Sequence, residues 1–348
     1  MLRVQAGGET YDLETLTVRP ADPGPWPIAL FTHGTPAGGW AEIRAVSPFW
    51  REQEARDLAR RGWAAAAVVR RGHGRSGGRF QGVVSCSDPD YASAAAADAA
   101  DLAAALDALR RRPWADARAK AVAVGASTGA FAALALAASR PDDVGAVFAF
   151  SAGAGGRPGT GEVCREERLA ALFGRLGGQA RGVPTLWVVG ADDPLFPAAK
   201  QAAWLSAWSE GGGAAEAVVV PAGRGMRGNG HALLGSHAAT AVWMPAVDRL
   251  LRAQGLPTWD AAPARAALAA AGGASWPAAA RDAYARYLAT QLTEKAFAAT
   301  PDGRWWGYAG GLKTTAEAEG WALKRCEERR SQGAAACALV AVNWNSPP

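Results

Sequence analysis

Six short apolar runs, at 27–32, 63–69, 120–124, 144–150, 184–189 and 217–220, punctuate most of the chain. Between and after them lie stretches rich in helix formers, near 51–61, 92–109, 130–139, 165–176, 197–208 and 238–253. No other feature limits the possible folds as strongly. Runs this short suit strands, and apolar character without polar alternation marks strands covered on both faces. Strand and helix in regular turn imply crossover connections, which pair strands in parallel and place helices on both sides of one sheet. The expectation is an α/β protein built on a mostly parallel sheet.

Two segments depart from this rhythm. Leu2–Gln5 and Leu13–Val18 alternate apolar and polar residues about Gly7-Gly8, which predicts an antiparallel hairpin. Beyond Gly255 an alanine- and proline-rich stretch leads to an expected helix over 278–295. Thr300-Pro301-Asp302-Gly303-Arg304 is then a strong turn between two aromatic-bearing runs, and a helix over 315–330 and a strand over 337–342 follow. The pattern predicts a large α/β domain at 1–255 and, at 256–348, a linker with a small α+β unit. With 348 residues, 49% of them hydrophobic, the chain can fill both cores. Most of its 15 tryptophans belong in them, with a few left to line an apolar cleft.

Charge and composition narrow the function. The net charge of +5 is spread along the chain with no basic block interleaved with aromatics, so no nucleic-acid partner is expected. No run of 18 apolar residues suggests a membrane span. The start, Met1-Leu2-Arg3-Val4-Gln5, lacks a signal-peptide core, so the chain reads either as cytosolic or as a form whose leader has been removed. The four cysteines show neither C-x-x-C spacing nor a neighbouring histidine, and neither a metal nor a cofactor is expected.

Chemistry points to Ser127. Gly125-Ala126-Ser127-Thr128-Gly129 follows the strand-like 120–124 and opens the helix-like 130–138. A serine on such a turn is held out above the sheet, with the helix N-terminus favouring negative charge beside it. Gly74-Arg75-Ser76-Gly77-Gly78 has the same pattern but no helix behind it, and reads as a glycine-rich loop. A serine hydroxyl needs a histidine to take its proton and a carboxylate to hold that histidine. Of four histidines, His33 ends a strand and suits bracing its loop, His73 lies in the glycine-rich loop, and His237 begins the closing helix. His231 follows Gly228-Asn229-Gly230, after the last run. Asp192-Asp193-Pro194 follows the run 184–189, and Asp-Pro is also ordinary turn chemistry. The order Ser127, Asp193, His231 puts three partners on strand-end loops at one edge of the sheet, where ligands bind in α/β folds. The amides of Thr128, after the serine, and Thr35, in the loop after the run 27–32, are the expected oxyanion donors.

His33-Gly34-Thr35-Pro36, Arg71-Gly72-His73-Gly74-Arg75-Ser76, the turn at 125–129, Gly190–Pro197 and Gly230-His231 together resemble the α/β-hydrolase fold over about 10–255. More narrowly they are similar to bacterial dienelactone-hydrolase and acyl-peptidase-like members. The resemblance implies a Ser127–His231–Asp193 triad, with Asp193 matching the acid position better than Asp192. Serine in place of the cysteine of dienelactone hydrolases proper points to ester or amide substrates. Arg70-Arg71-Gly72 lacks the aspartate that many relatives carry there. Residues 290–345 resemble a small cysteine-pair module appended to secreted bacterial hydrolases.

Where many relatives insert a lid, residues 152–164 are short and glycine-rich, which predicts an open cleft. The expected disulfides are Cys86–Cys164, tying two loops beside that cleft, and Cys326–Cys337, closing a short loop; four buried free thiols are the competing state. The leading expectation is a periplasmic or secreted serine carboxylesterase acting on a small-molecule or polymeric ester. Its rivals are an acyl-peptidase-type enzyme, a cytoplasmic location, and a non-catalytic cell-envelope binding protein.

Overall fold

The computed structural model describes all residues except 21, 22, 84, 259–265, 267–272, 274, 290–293 and 344–348. It divides into two compact units, Met1–Thr258 and Trp259–Pro348.

The first unit is organised by a seven-stranded sheet. Its elements in chain order are β1 (Leu2–Ala6), β2 (Glu9–Leu13), β3 (Thr15–Val18), β4 (Ile28–Thr32), α1 (Trp40–Ala45), α2 (Glu52–Ala59), β5 (Ala64–Val68) and α3 (Tyr91–Arg110). There follow β6 (Ala121–Ala126), α4 (Thr128–Ser139), β7 (Val144–Phe150), β8 (Gly156–Arg157), β9 (Glu162–Val163), α5 (Glu166–Gln179), β10 (Thr185–Gly190), α6 (Ala198–Glu210), β11 (Ala215–Val220) and α7 (His237–Ala253). The spatial order is β11-β10-β7-β6-β4-β5-β3, parallel except for β3, which pairs antiparallel with β5.

Strand residues alternate between two buried layers. Ile28, Leu30, Ala121, Ala123 and Trp187 pack with α3, α4, α5 and α6, while Ala29, Phe31, Val122, Val124, Leu186 and Val188 pack with α2 and α7. This two-sided burial is why the strands read as unbroken apolar runs. An amino-terminal hairpin forms, but its second strand is Glu9–Leu13 and not the expected Leu13–Val18. β1 and β2 pair across Gly7-Gly8, but the run to Val18 is split at Glu14, and β3 joins the main sheet instead. Glu14 is buried and accepts from the Arg75 guanidinium, so the chain turns between sheets at a charged anchor. Helix α1, and a single turn of 3-10 helix at Pro48–Arg51, were not foreseen in the sequence.

In the second unit α8 (Ala278–Ala289), β12 (Ala296–Ala299), β13 (Trp306–Ala309), α9 (Thr315–Glu327) and β14 (Ala338–Val342) are described. The stretch read as a linker and the end of the expected helix over 278–295 lie largely outside the described residues. The sheet order is β13-β12-β14, all antiparallel. Phe297 and Ala299 face Tyr284 and Tyr287 of α8, and Ala296 and Ala298 face Ala318 and Ala322 of α9. Disulfides join Cys86 to Cys164 and Cys326 to Cys337, and no described cysteine is free.

Candidate active site

Ser127 stands between β6 and α4 with φ 57° and ψ −124°, a strained conformation for a residue with a side chain. Close backbone approaches hold it there. A Cβ on Gly125 would lie 2.1 Å from the Gly129 carbonyl oxygen, and one on Gly129 would lie 2.5 Å from that of His33. A Cβ on Gly34 would meet Ser127 Cβ at 2.9 Å, so glycine at these positions lets strand, turn and loop close around the serine. Ser76 is a loop residue, as expected: its hydroxyl donates to the Val69 carbonyl at 2.7 Å and accepts from the Glu14 amide at 2.8 Å.

Asp193 follows β10 and His231 follows β11, and the structure brings them together. His231 Nδ1 lies 2.9 Å and 3.1 Å from the two Asp193 carboxylate oxygens. Asp193 is fully buried and also accepts from the amides of Leu195 and Phe196, both at 2.9 Å, and from Gln201 Nε2 at 3.2 Å. These donors orient the carboxylate, which fixes the imidazole with Nδ1 protonated and Nε2 as acceptor. The glycines of the two loops explain the approach, since a Cβ on Gly190 would sit 2.1 Å from the Gly230 carbonyl oxygen. Asp192 is exposed and accepts from the Gly223 amide at 2.8 Å. Among the described residues no hydrogen bond joins the Ser127 hydroxyl to His231. In a site without substrate such bonds are commonly long.

The loop after β4 carries a directional network. Arg70 Nη2 and the Thr35 amide donate to Thr128 Oγ1 at 3.2 Å and 2.8 Å; Thr128 Oγ1 lies 3.0 Å from Thr35 Oγ1, which lies 3.2 Å from His73 Nε2. His73 Nδ1 faces the Arg71 carbonyl at 3.0 Å, so its proton is there and Nε2 accepts. Of the two expected oxyanion donors, the Thr128 amide opens α4 with no hydrogen-bond partner among the described residues, whereas the Thr35 amide is already engaged by the Thr128 hydroxyl. His33 braces the loop, accepting the Arg70 amide at Nε2 (3.0 Å) and donating from Nδ1 to the Gly34 carbonyl (2.9 Å). Burial and the Arg70 charge hold His33 well below the usual imidazole range, and the same causes bring His73 down to about 4.

A cavity of about 160 Å³ opens beside Ser127 and Thr128, walled by Phe80, Phe131, Leu195 and Phe196 and touched by Asp98. Residues 152–164 form only the short hairpin β8–β9 and contribute no helix over it. The Cys86–Cys164 bridge ties this hairpin to the loop bearing Phe80. The ion pair of Arg70 Nε with Asp98 Oδ1, 2.9 Å, was not foreseen. Its signal in the sequence was Asp98 and Asp101 breaking the alanine-rich surface of α3 three residues apart, on one helix face. Gln201 was likewise unforeseen, eight residues after the carboxylate it holds.

Comparison with known proteins agrees with this architecture. Residues 50–181, which include Ser127 but neither Asp193 nor His231, match the family model described as serine aminopeptidase, S33. No curated protein sequence matches the chain. Among solved structures, Est1E of Butyrivibrio proteoclasticus, determined with ferulic acid bound, is similar with a TM-score of 0.50 and 18% identity, over 73% of this chain and 99% of that one. An esterase of Pyrococcus furiosus has a TM-score of 0.49 and 15% identity over 73% and 90%. Esterase 2 of Thermogutta terrifontis has a TM-score of 0.45 and 20% identity over 74% and 97%. At such identities the likeness is one of fold.

Proposed function

We propose that this chain, which has the α/β-hydrolase fold, is a serine carboxylesterase that works through an acyl-enzyme on Ser127. One observation carries the reading: a buried Asp193 hydrogen-bonded to His231, on the loops after β10 and β11, at the sheet end where Ser127 follows β6.

In this reading Ser127 Oγ attacks the ester carbonyl carbon while His231 Nε2 takes its proton and Asp193 steadies the imidazolium. The developing oxyanion is received by the Thr128 amide. The Thr35 amide joins once rotation of the Thr128 side chain releases it; each such donor lowers the barrier by about 3 kcal/mol. Collapse of the tetrahedral intermediate expels the alcohol, protonated by His231, and leaves an ester on Ser127. Water, deprotonated by His231, then attacks that ester and frees the acid. No cofactor enters these steps. The two disulfides favour an oxidising compartment, periplasmic or extracellular. Among the described residues no helix is long and apolar enough to cross a membrane.

The test is a panel of p-nitrophenyl esters and aminoacyl amides against the purified chain and Ser127→Ala. Ester hydrolysis that falls by a factor on the order of 10⁴ in the variant is the expected result. Amide turnover exceeding ester turnover would favour an aminopeptidase, the reading suggested by the family model. Full activity in Ser127→Ala would end both.

A further inference from the structure

Arg70, Arg71, His73 and Gln81 line part of the cavity beside Ser127, and the rest is an apolar wall of Phe131 from α4, Leu195 and Phe196 after β10, and Val83 from the loop before α3. Asp98 interrupts it. The residue lies one turn after Ala94 on α3, and both line the cavity. Its Oδ1 faces Arg70 Nε, while Oδ2 has no partner among the described residues and the side chain keeps 18% exposure. Arg70 turns its other nitrogens away, to Thr32 Oγ1, the His33 carbonyl and Thr128 Oγ1. One carboxylate oxygen is therefore left as an acceptor on the cavity surface.

The surrounding charges decide what that oxygen accepts. Arg70 balances Asp98, and Arg71 is paired with Asp101. An ammonium entering the cavity would meet two guanidinium groups already in place, and a carboxylate would meet Asp98. A neutral group with an O–H to donate meets an open acceptor and no like charge. The cavity also has a direction. In acyl transfer the histidine protonates the leaving group, so the leaving group lies on the His231 side. Ser127 and Thr128 line this cavity and His231 does not, which assigns it to the acyl half of the ester.

We propose that Asp98 is a specificity-determining residue that selects short acyl groups bearing a hydroxyl. The inference rests on the acyl-enzyme reading above and names the substrate class for that site. An acceptor already paired with Arg70 discriminates less than a wholly unpartnered one, so the preference over the deoxy analogue is on the order of 10- to 100-fold.

Burial, opposed by the Arg70 charge, pushes the Asp98 carboxyl up to about 6. The other groups facing it hold their charge over the same range. Arg71 stays cationic against Asp101, and His73 stays neutral until about 4. The preference should therefore fall as acid neutralises Asp98.

The experiment measures kcat/KM on the unmodified protein for p-nitrophenyl butyrate, hexanoate and octanoate, each with and without a terminal hydroxyl. The ionisation of His231 affects both members of a pair equally and cancels in the ratio. The expected result is a preference of roughly tenfold or more for one hydroxylated ester at about pH 8, falling several-fold at about pH 5 as Asp98 protonates. Asp98→Asn should lower the pH 8 ratio to that same reduced value. Ratios near one at pH 8, with both esters hydrolysed, overturn the inference and leave the esterase reading standing. A hydroxyl preference indifferent to pH removes Asp98 as its source. Failure to hydrolyse any of the esters sinks the esterase reading itself.

Discussion

At the scale of single residues, the loop after β4 depends on two imidazoles that must stay neutral. His33 Nε2 accepts the Arg70 amide and His73 Nε2 accepts the Thr35 hydroxyl, and a proton on either nitrogen would replace attraction with repulsion toward Arg70. Both groups have depressed folded pKa values, so each binds fewer protons folded than unfolded. Their contribution to stability is present above the unfolded value near 6.5 and is lost as pH falls toward the folded one, about 4 for His73. Imidazole NMR should show His33 and His73 still neutral at about pH 5.5, each carrying its proton on Nδ1. Titration of these two near pH 6.5 would mean that this network does not form. The candidate triad was legible because strand-end loops leave so few choices: of four histidines two follow the last strand run, and only His231 precedes the closing helix. The engagement of the Thr35 amide was not. It depends on the rotamer of Thr128, and rotamers leave no trace in composition or spacing.

At the scale of elements, the cleft is shaped by loops instead of a lid. The Phe80 loop and the β8–β9 hairpin wall the cavity on two sides, and Cys86–Cys164 joins them across 78 residues. Tyr91, at the start of α3, adds a hydrogen bond to the Cys164 carbonyl. On the chain-entropy view a bridge closing a loop of this length contributes up to about 4.5 kcal/mol, and the Cys326–Cys337 loop about 3 kcal/mol. Replacing Cys86 and Cys164 together by serine should lower the urea midpoint and raise KM more than it lowers kcat, because the walls loosen while the Asp193–His231 pair keeps its donors. An unchanged midpoint would show that the hairpin and Tyr91 hold the loops unaided. The strands were readable within a few residues because burial on both faces demands unbroken apolar runs. Helix α1 escaped notice because its six residues, Trp40–Ala45, show no apolar periodicity and bury only Ile43.

At the scale of the whole molecule, regular alternation of strand and helix was enough to anticipate a parallel sheet wrapped on both sides. The one topological surprise, β3 leaving the amino-terminal hairpin for the main sheet, turns on the burial of Glu14, a contact to Arg75 that is remote in sequence. In the second unit, the aromatic residues around Phe297 and the alanines facing α9 divide the sheet into a bulky face and a tight one. The proposed chemistry requires one activated serine in the folded chain. Labelling with a fluorophosphonate, followed by peptide mapping, tests it most directly, because the probe reacts with a serine only where a base and an oxyanion site converge. A single adduct is expected on the peptide bearing Ser127, lost in Ser127→Ala and strongly slowed in His231→Ala. An adduct on Ser76, or no adduct on the folded protein, would contradict it.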